Sequence, residues 1–358
     1  MQGQNTKPII PKVRYHPTIQ DPANGEQTKT RTRQAPRAGR VHVRLPQTVQ
    51  ENPQADPQPS AQKPKKKLSQ RAAPKPDAPQ RVAPSTDGTP PTPEEVPLGV
   101  DVGLDTQVVE QVEALTRGQR TNQDWFSWRK NRITASMAHS VAHSRFANRR
   151  SQTPPTSILT AITGESQGIQ TRAMSWGIEN ESKAVRRYQV KKSAEVGCSV
   201  SVQDCGLFIH PQRAWLAASP DGIVTDSQTG RWLFCLEVKC PYKHRDRRVE
   251  DACREDPAFC LEIQDERGRQ PDGPPTYHLK ESHSYFTQIQ CQLAVTGLKQ
   301  ADLVVFTRKE TAIIPVKFDS DLWEETLSKL EVFYRDAVLP HLREKKQQEP
   351  GAAWTPEL

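Results

Sequence analysis

The sequence predicts an α/β domain, a mixed central sheet flanked by helices, preceded by a disordered tail. Three observations lead there: composition changes near residue 100, helix-period runs then alternate with short strand-like runs, and turn chemistry separates them. Of the 358 residues, the first 99 hold one aromatic, Tyr15, and prolines recur, as in "PQADPQPSAQKPKKK" and "PSTDGTPPTPEEVP". Such a segment cannot bury enough apolar surface to offset the entropy of ordering it. The expected organisation is a Pro-rich basic tail over 1–99, a folded domain over 100–345 and a short C-terminal tail over 346–358.

Charge divides the chain the same way. Residues 1–100 carry sixteen Lys and Arg against eight Asp and Glu, so the formal net charge of +8 sits in the tail and the remainder, 34 against 34, is neutral. A basic disordered arm suits loose attraction to nucleic acid, and "KPKKKLSQR" (Lys63 to Arg71) resembles a nuclear-import signal; it reads equally as a solvated charge run. No apolar run follows Met1 and no stretch approaches the roughly twenty apolar residues of a membrane span, so the expectation is a soluble intracellular, nuclear protein without membrane contact. The seven cysteines are odd in number and lack a C-x-x-C pair, which argues for reduced thiols. Cys235, Cys240, Cys253, Cys260 and His244 match no common zinc spacing.

The folded part begins with "TQVVEQVEAL" (Thr106 to Leu115), where Val108, Val109, Val112 and Leu115 have helical spacing. "DWFSWRKNRITASMAHSVA" begins a second helical region, with a turn before Thr134. In "SWGIENESKAVRRYQVKK" the residues Ile178, Glu181, Val185 and Tyr188 fall near one helical face, and a carboxylate there is costly unless something binds it. "CGLFIH", "AWLAASPDGIVT" and "RWLFCLEVK" read as strands with turns at "SPDG" and "DSQTG". Alternation on the last puts Trp232, Phe234, Leu236 and Val238 on one face and Cys235, Glu237 and Lys239 on the other. Helical spacing in "SYFTQIQCQLAVTG" forms one stripe of Tyr285, Gln288 and Gln292 and another of Phe286, Ile289 and Leu293. "ADLVVFTRKETAIIPVKFD" predicts two strands with a turn at "RKE", and "DLWEETLSKLEVFYRDAVLPHL" a helix whose Leu322, Trp323, Leu327, Leu330, Phe333, Tyr334 and Val338 belong to the core. Trp125, Trp128, Trp215 and Trp232 are read as packing residues, with Trp128, beside Arg129, a candidate for touching a frayed strand end.

The chemistry concentrates in "SPDGIVTDSQTGRWLFCLEVKCP". A hairpin across the fifteen residues between Asp221 and Glu237 brings both carboxylates, with Lys239 one strand step on, to one sheet edge. Carboxylates without an excess of histidine or thiol make a hard-oxygen site suited to magnesium or manganese rather than zinc. An adjacent lysine can orient or deprotonate water, or offset charge.

"SPDG", "LEVKCP", "WGIENESKA", "YFTQIQCQLAVTG" and the element W-x3-R-x6-S in "WFSWRKNRITAS", in that relation along about Leu115 to Leu342, resemble the lambda-exonuclease or YqaJ viral recombinase branch of the PD-(D/E)XK nucleases. The long charged segment over 243–283 and "FYRDAVLPHL" look more like YqaJ-domain proteins of animal genomes; the segment reads as a lid, a subunit contact or a DNA-guiding loop. The resemblance implies a restriction-endonuclease-like core and a metal-dependent deoxyribonuclease, a 5′ to 3′ exonuclease on linear duplex DNA in recombination or mobile-element biology. It implies that Asp221, Glu237, Glu181 and the Val238 carbonyl hold Mg2+, with Mn2+ the other candidate, and that Lys239 activates water. Arg129, Ser136, Ser219 and Gln288 match positions that cradle a terminal 5′-phosphate. DNA is the implied partner, together with a homo-oligomer, trimeric in the phage relative, and a single-strand-annealing protein. The other readings are a DNA-binding module without turnover and an endonuclease on the same core.

Overall fold

The periodic runs become a five-stranded mixed sheet with helices on both faces, in a computed structural model that describes residues 80–166, 168–264 and 275–348. In front, β1 (Arg81–Val82) pairs in parallel with β2 (Gly103–Leu104). α1 (Thr106–Leu115) starts at Asp105, whose carboxylate accepts the Gln107 N–H and satisfies one of the free donors at a helix start. A 3-10 turn, Gln119–Thr121, leads to α2 (Gln123–Arg129), which Asn122 caps. The short strand β3 (Ile133–Thr134) runs into α3 (Ala135–Ala142), followed by α4 (Thr156–Thr163) and α5 (Arg172–Val196). Then come β4 (Val200–Gln203), β5 (Phe208–His210), β6 (Arg213–Ala218), β7 (Gly222–Asp226) and β8 (Trp232–Lys239). α6 (Val249–Glu255), β9 (Leu261–Ile263) and β10 (Tyr277–Leu279) precede α7 (Ser284–Thr296). β11 (Gln300–Phe306), β12 (Thr311–Lys317), α8 (Ser320–Phe333), a π-helical turn Tyr334–Val338 and α9 (Leu339–Gln348) complete it.

The sheet order is β12-β11-β8-β7-β4, with β8 and β11 parallel and the other pairs antiparallel. A parallel pair needs a crossover, and the chain between β8 and β11 supplies it through α7. One face packs on α5, through Ala184 and Tyr188 against Val224, Leu236, Val238 and Val304. The other packs on α7, α3 and α8 through Ile223, Cys235, Leu303 and Val305. A smaller sheet, β3-β6-β5, carries parallel pairs Ile133 with Leu216 and Thr134 with Ala217. That register sets the start of α3 beside the end of β6.

Five sequence expectations are corrected. The stretch 80–99, assigned to the tail, is packed: Val96 is buried and Val82 lies on a core of Leu104, Val108, Trp128 and Leu207. At the other end α9 continues past residue 345 to Gln348. The disordered reading of residues 1–79, the "KPKKKLSQR" run and residues 349–358 lie outside the described residues. The buried face of α5 is Trp176, Asn180, Ala184, Tyr188 and Lys192, spaced by four, so Ile178 is exposed and Glu181 stands at the margin. Alternation along β8 breaks at a bulge between the pairs Val224–Phe234 and Thr225–Trp232. The bulge puts Leu233 and Phe234 on the α5 side and Trp232 on the other, edge-on to Phe208 with 5.8 Å between ring centroids. The segment 243–283 is folded in its described part: Val249, Ala252, Phe259, Cys260 and Leu261 are buried in the main core, and β9 pairs with β10.

An unusual polar contact ties α5 to the sheet. Asp302 of β11 is fully buried, accepts the Tyr188 hydroxyl at 2.7 Å and pairs with Lys192 at 3.0 Å. Asp302→Ala leaves the buried Lys192 ammonium only the exposed Glu195 at 3.2 Å, and a loss of about 2–4 kcal/mol in urea-denaturation stability is expected; Lys192→Met with Asp302→Leu should recover most of it.

Candidate active site

Asp221 sits at the turn before β7 because the Ser-Pro-Asp-Gly sequence ends one strand and begins the next. Its N–H donates to the Leu236 carbonyl at 2.9 Å, and its Oδ2 accepts the Val238 N–H at 2.7 Å. The side chain therefore continues the β7–β8 ladder after the β7 backbone has left it. The N–H and C=O of one strand residue point to the same side, so the Val238 carbonyl also faces Asp221. Gly222 is required next to it: a Cβ there would lie 2.4 Å from Val202 Cγ1 on β4.

Glu237, 2% exposed, projects from β8 towards α7. Gln288 Nε2 donates to its Oε1 at 2.6 Å and Gln292 Nε2 to its Oε2 at 2.6 Å, while Lys239 Nζ lies 2.6 Å from Oε1. Two glutamines one helical turn apart thus meet both oxygens of one carboxylate. Lys239 also donates to Gln288 Oε1 at 3.4 Å and rests 4.6 Å from the Tyr285 ring centre. Burial pulls the Lys239 ammonium down, but Glu237 and Asp221 outweigh it and hold the group above its ordinary value. Burial and then the charge of Glu237 push the Asp221 carboxyl well above the usual carboxylate range, against the pull of Lys239. Glu181 is raised in the same direction, by burial first, with Arg120 opposing.

Glu181 enters from α5. With Gly118, Gln119, Arg120, Trp125, Cys205, Asp204 and Asp221 it lines a cavity of about 250 Å3. Arg120 Nη2 stands 3.8 Å from Glu181 Oε2. The two other hollows, along β10 and β12, contain none of these acidic side chains.

A second group gathers beside the cavity. The β3–β6 register sets Ser136, exposed on the first turn of α3, near Ser219, which follows β6. The Trp125 indole N–H donates to Ser219 Oγ at 2.8 Å, and the Arg129 guanidinium lies 4.1 Å above the Trp125 ring. Burial lowers Arg129 to about 10, and among the described residues it has no carboxylate or hydrogen-bond partner. Such a cation is incomplete without an anion.

The structure therefore brings Asp221, Glu237, Lys239, Val238 and Glu181 to one end of the sheet, and Arg129, Ser136 and Ser219 to its flank. Gln288 belongs with the first group, since its amide is engaged by Glu237 and Lys239. Trp128, taken as a strand-end contact, is 1% exposed beneath Arg132, and Trp125 occupies the accessible position instead. Gln292 escaped sequence reading as a site residue, though its place on the Gln288 stripe was the available signal; Arg120 and Gln119 left no signal beyond an ordinary polar turn. Burial raises the thiols of Cys235, Cys240 and Cys260 to about 12. Among the described residues no three His, Cys, Asp or Glu side chains close on one point as placed, because Glu237 is turned to α7 and Glu181 to Arg120.

A profile of the YqaJ-like viral recombinase domain matches residues 124–299, a span that runs from α2 to the start of β11 and contains every acidic residue of the cavity and Lys239. The chain carries a YqaJ-like viral recombinase domain. The chain is 25% identical over 237 residues to the alkaline nuclease of Autographa californica nuclear polyhedrosis virus, covering 63% of this chain; it spans about half, 50%, of that relative's length. An alkaline exonuclease from Laribacter hongkongensis is similar at 23% identity, covering 63% of this chain and 99% of its own with a TM-score of 0.43. The shutoff and exonuclease protein of Kaposi's sarcoma-associated herpesvirus is 14% identical, covering 66% of this chain and 74% of its own with a TM-score of 0.42. The mixed sheet flanked by helices carries Asp221 at the turn into β7 and Glu237 and Lys239 on the adjacent β8, at one end of the sheet.

Because folding holds the Asp221 proton more tightly than the unfolded chain does, the YqaJ-like domain loses stability as pH rises above the ordinary aspartate value of 3.8. Asp221→Asn keeps an acceptor for the Val238 N–H and removes that penalty. Its urea midpoint in EDTA at neutral pH should exceed that of the wild type, with the gap closing as the pH falls. Gln292→Leu, in contrast, deprives buried Glu237 of a donor and should lower stability by about 1–3 kcal/mol in the same measurement.

Proposed function

We propose that the protein is a divalent-cation-dependent deoxyribonuclease that shortens linear duplex DNA from its 5′ ends and serves recombination. The observation that carries this reading is the joint placement of Asp221, Glu237 and Lys239 at the end of paired strands, beside a cavity that Glu181 completes. The YqaJ-like domain and the viral alkaline nuclease support it.

The donor set fits a hard cation. Carboxylates crowd in a poorly solvated place, two of them raised by burial and by the charge of Glu237, and added positive charge relieves both effects. Asp221, Glu237, Glu181 and the Val238 carbonyl would hold the ion, magnesium by preference for oxygen ligands and manganese as an alternative. A bound ion there supplies charge for the attacked phosphate and acidifies water.

The chain's own residues do the rest. Lys239, kept protonated by Glu237 and Asp221, orients the attacking water and offsets charge on the phosphate oxygens. Gln288 and Gln292 hold Glu237 in one rotamer. Arg129, flattened on Trp125, joins Ser219 and Ser136 to receive the terminal 5′-phosphate, which sets polarity by fixing which bond reaches the carboxylates.

The test is digestion of a linear duplex labelled at either end, with and without a 5′-phosphate, in Mg2+ or EDTA. Wild type should release 5′-mononucleotides only with the cation and faster from phosphorylated ends, and Lys239→Ala should lower the rate by about 10²-fold or more. Arg129→Ala should abolish the preference for phosphorylated ends. Cleavage of closed circular DNA at the same rate would instead identify an endonuclease, and retention of DNA without cleavage a binding module.

A further inference from the structure

Arg120 lies in the catalytic cavity with its hydrogen-bonding capacity unused. Its only recorded partner among the described residues is Glu181 at 3.8 Å, beyond hydrogen-bond reach, and no hydrogen bond engages its five N–H donors. Both side chains are partly exposed, 45% and 38%, so the pair contributes little to stability. Its backbone is nevertheless held with unusual care. Gly118 and Gln119 adopt successive left-handed conformations, φ 84° and 45°, and the second is unfavourable for a residue with a side chain.

The surroundings enforce that conformation. Gln119 Nε2 donates to the Cys205 carbonyl at 3.1 Å and to the Pro220 carbonyl at 2.7 Å, which ties the turn to the loop bearing Ser219 and Asp221. Asn122 Nδ2 closes it from behind through the Leu115 and Arg117 carbonyls at 2.7 and 2.8 Å. A strained turn, fastened to the loop of one site carboxylate, thus points a guanidinium at another. Structural need does not explain this, whereas a planar fork of donors beside a phosphodiester cleavage site does.

We propose that Arg120 binds a non-bridging phosphate oxygen of the substrate strand at the scissile bond, its long 3.8 Å pairing with Glu181 leaving the guanidinium available to the phosphate. This rests on the nuclease reading and adds to the cluster of Arg129, Ser136 and Ser219 a contact at the reacting phosphate rather than at the strand terminus.

The test uses the full chain and a 5′-phosphorylated linear duplex. Binding is followed in EDTA across a salt series, and turnover in Mg2+. Arg120→Gln should reduce the slope of log affinity against log salt by about 0.9, one phosphate contact, and slow cleavage on the order of 10²-fold. It should leave the preference for 5′-phosphorylated ends unchanged. Arg120→Lys should restore the slope but not the full rate, because it keeps the charge and loses the fork. Glu181→Gln removes the ion pair and keeps Arg120, so its slope should match that of the wild type. A wild type that cleaves while Arg120→Gln retains both slope and rate overturns the assignment alone. A wild type that neither binds nor cleaves the duplex with any divalent cation overturns the nuclease reading and this inference together.

Discussion

Glu237 is a carboxylate on the central strand of the sheet, nearly sealed from water, and a charge in that position demands partners. Gln288 and Gln292 provide them from α7, and Lys239 provides the counter-charge. Burying an ionised group is tolerable only when it is paired and hydrogen-bonded. The helix that crosses from β8 to β11 must therefore lie in one rotation over the sheet. Its other stripe then meets the core through Ile289 and Leu293, while Thr287 reaches His139 of α3 at 3.0 Å. A requirement for one side chain thus propagates into the packing of two helices.

The opposite face obeys the same logic with a different outcome. Lys192, Tyr188 and Asp302 form a closed polar contact between α5 and β11. It fixes the rotation of α5, and this in turn decides that Glu181, at the margin of the buried face, arrives at the end of the sheet where Asp221 stands. The two contacts differ in solvent access. The Asp302 contact is sealed, whereas Glu237 and Lys239 lie behind Asp221, which lines the cavity.

Charge at that cavity is unbalanced by design of its geometry. Two carboxyls are raised by burial and by the charge of Glu237, while Arg129 and Arg120 nearby have no hydrogen-bonded anion among the described residues. A divalent cation and a phosphodiester, the ligands proposed above, would bring charges of both signs to this place.

Much of this was legible from residue order. Strand and helix periods placed α1, β8, β11, β12 and α8, and the S-P-D-G turn with E-x-K located Asp221, Glu237 and Lys239, because these signals are local and depend on spacings of two or three to four residues. The bulge at Leu233 was not legible, since it arises from fitting β8 to β7 rather than from either strand alone. The same holds for Gln288: its position on a polar stripe is a local fact, but its attachment to Glu237 depends on which way α7 lies over the sheet. Trp125 and Trp128 have equal claims in the sequence, and only packing beneath Arg132 decided which is buried. Arg120 and Gln119 were silent for the same reason, as their partners at Glu181, Cys205 and Pro220 are more than sixty residues away. Sequence alone determined the chemistry available and its order along the chain; tertiary structure decided which groups face one another, because burial and partnership are properties of contacts between distant segments.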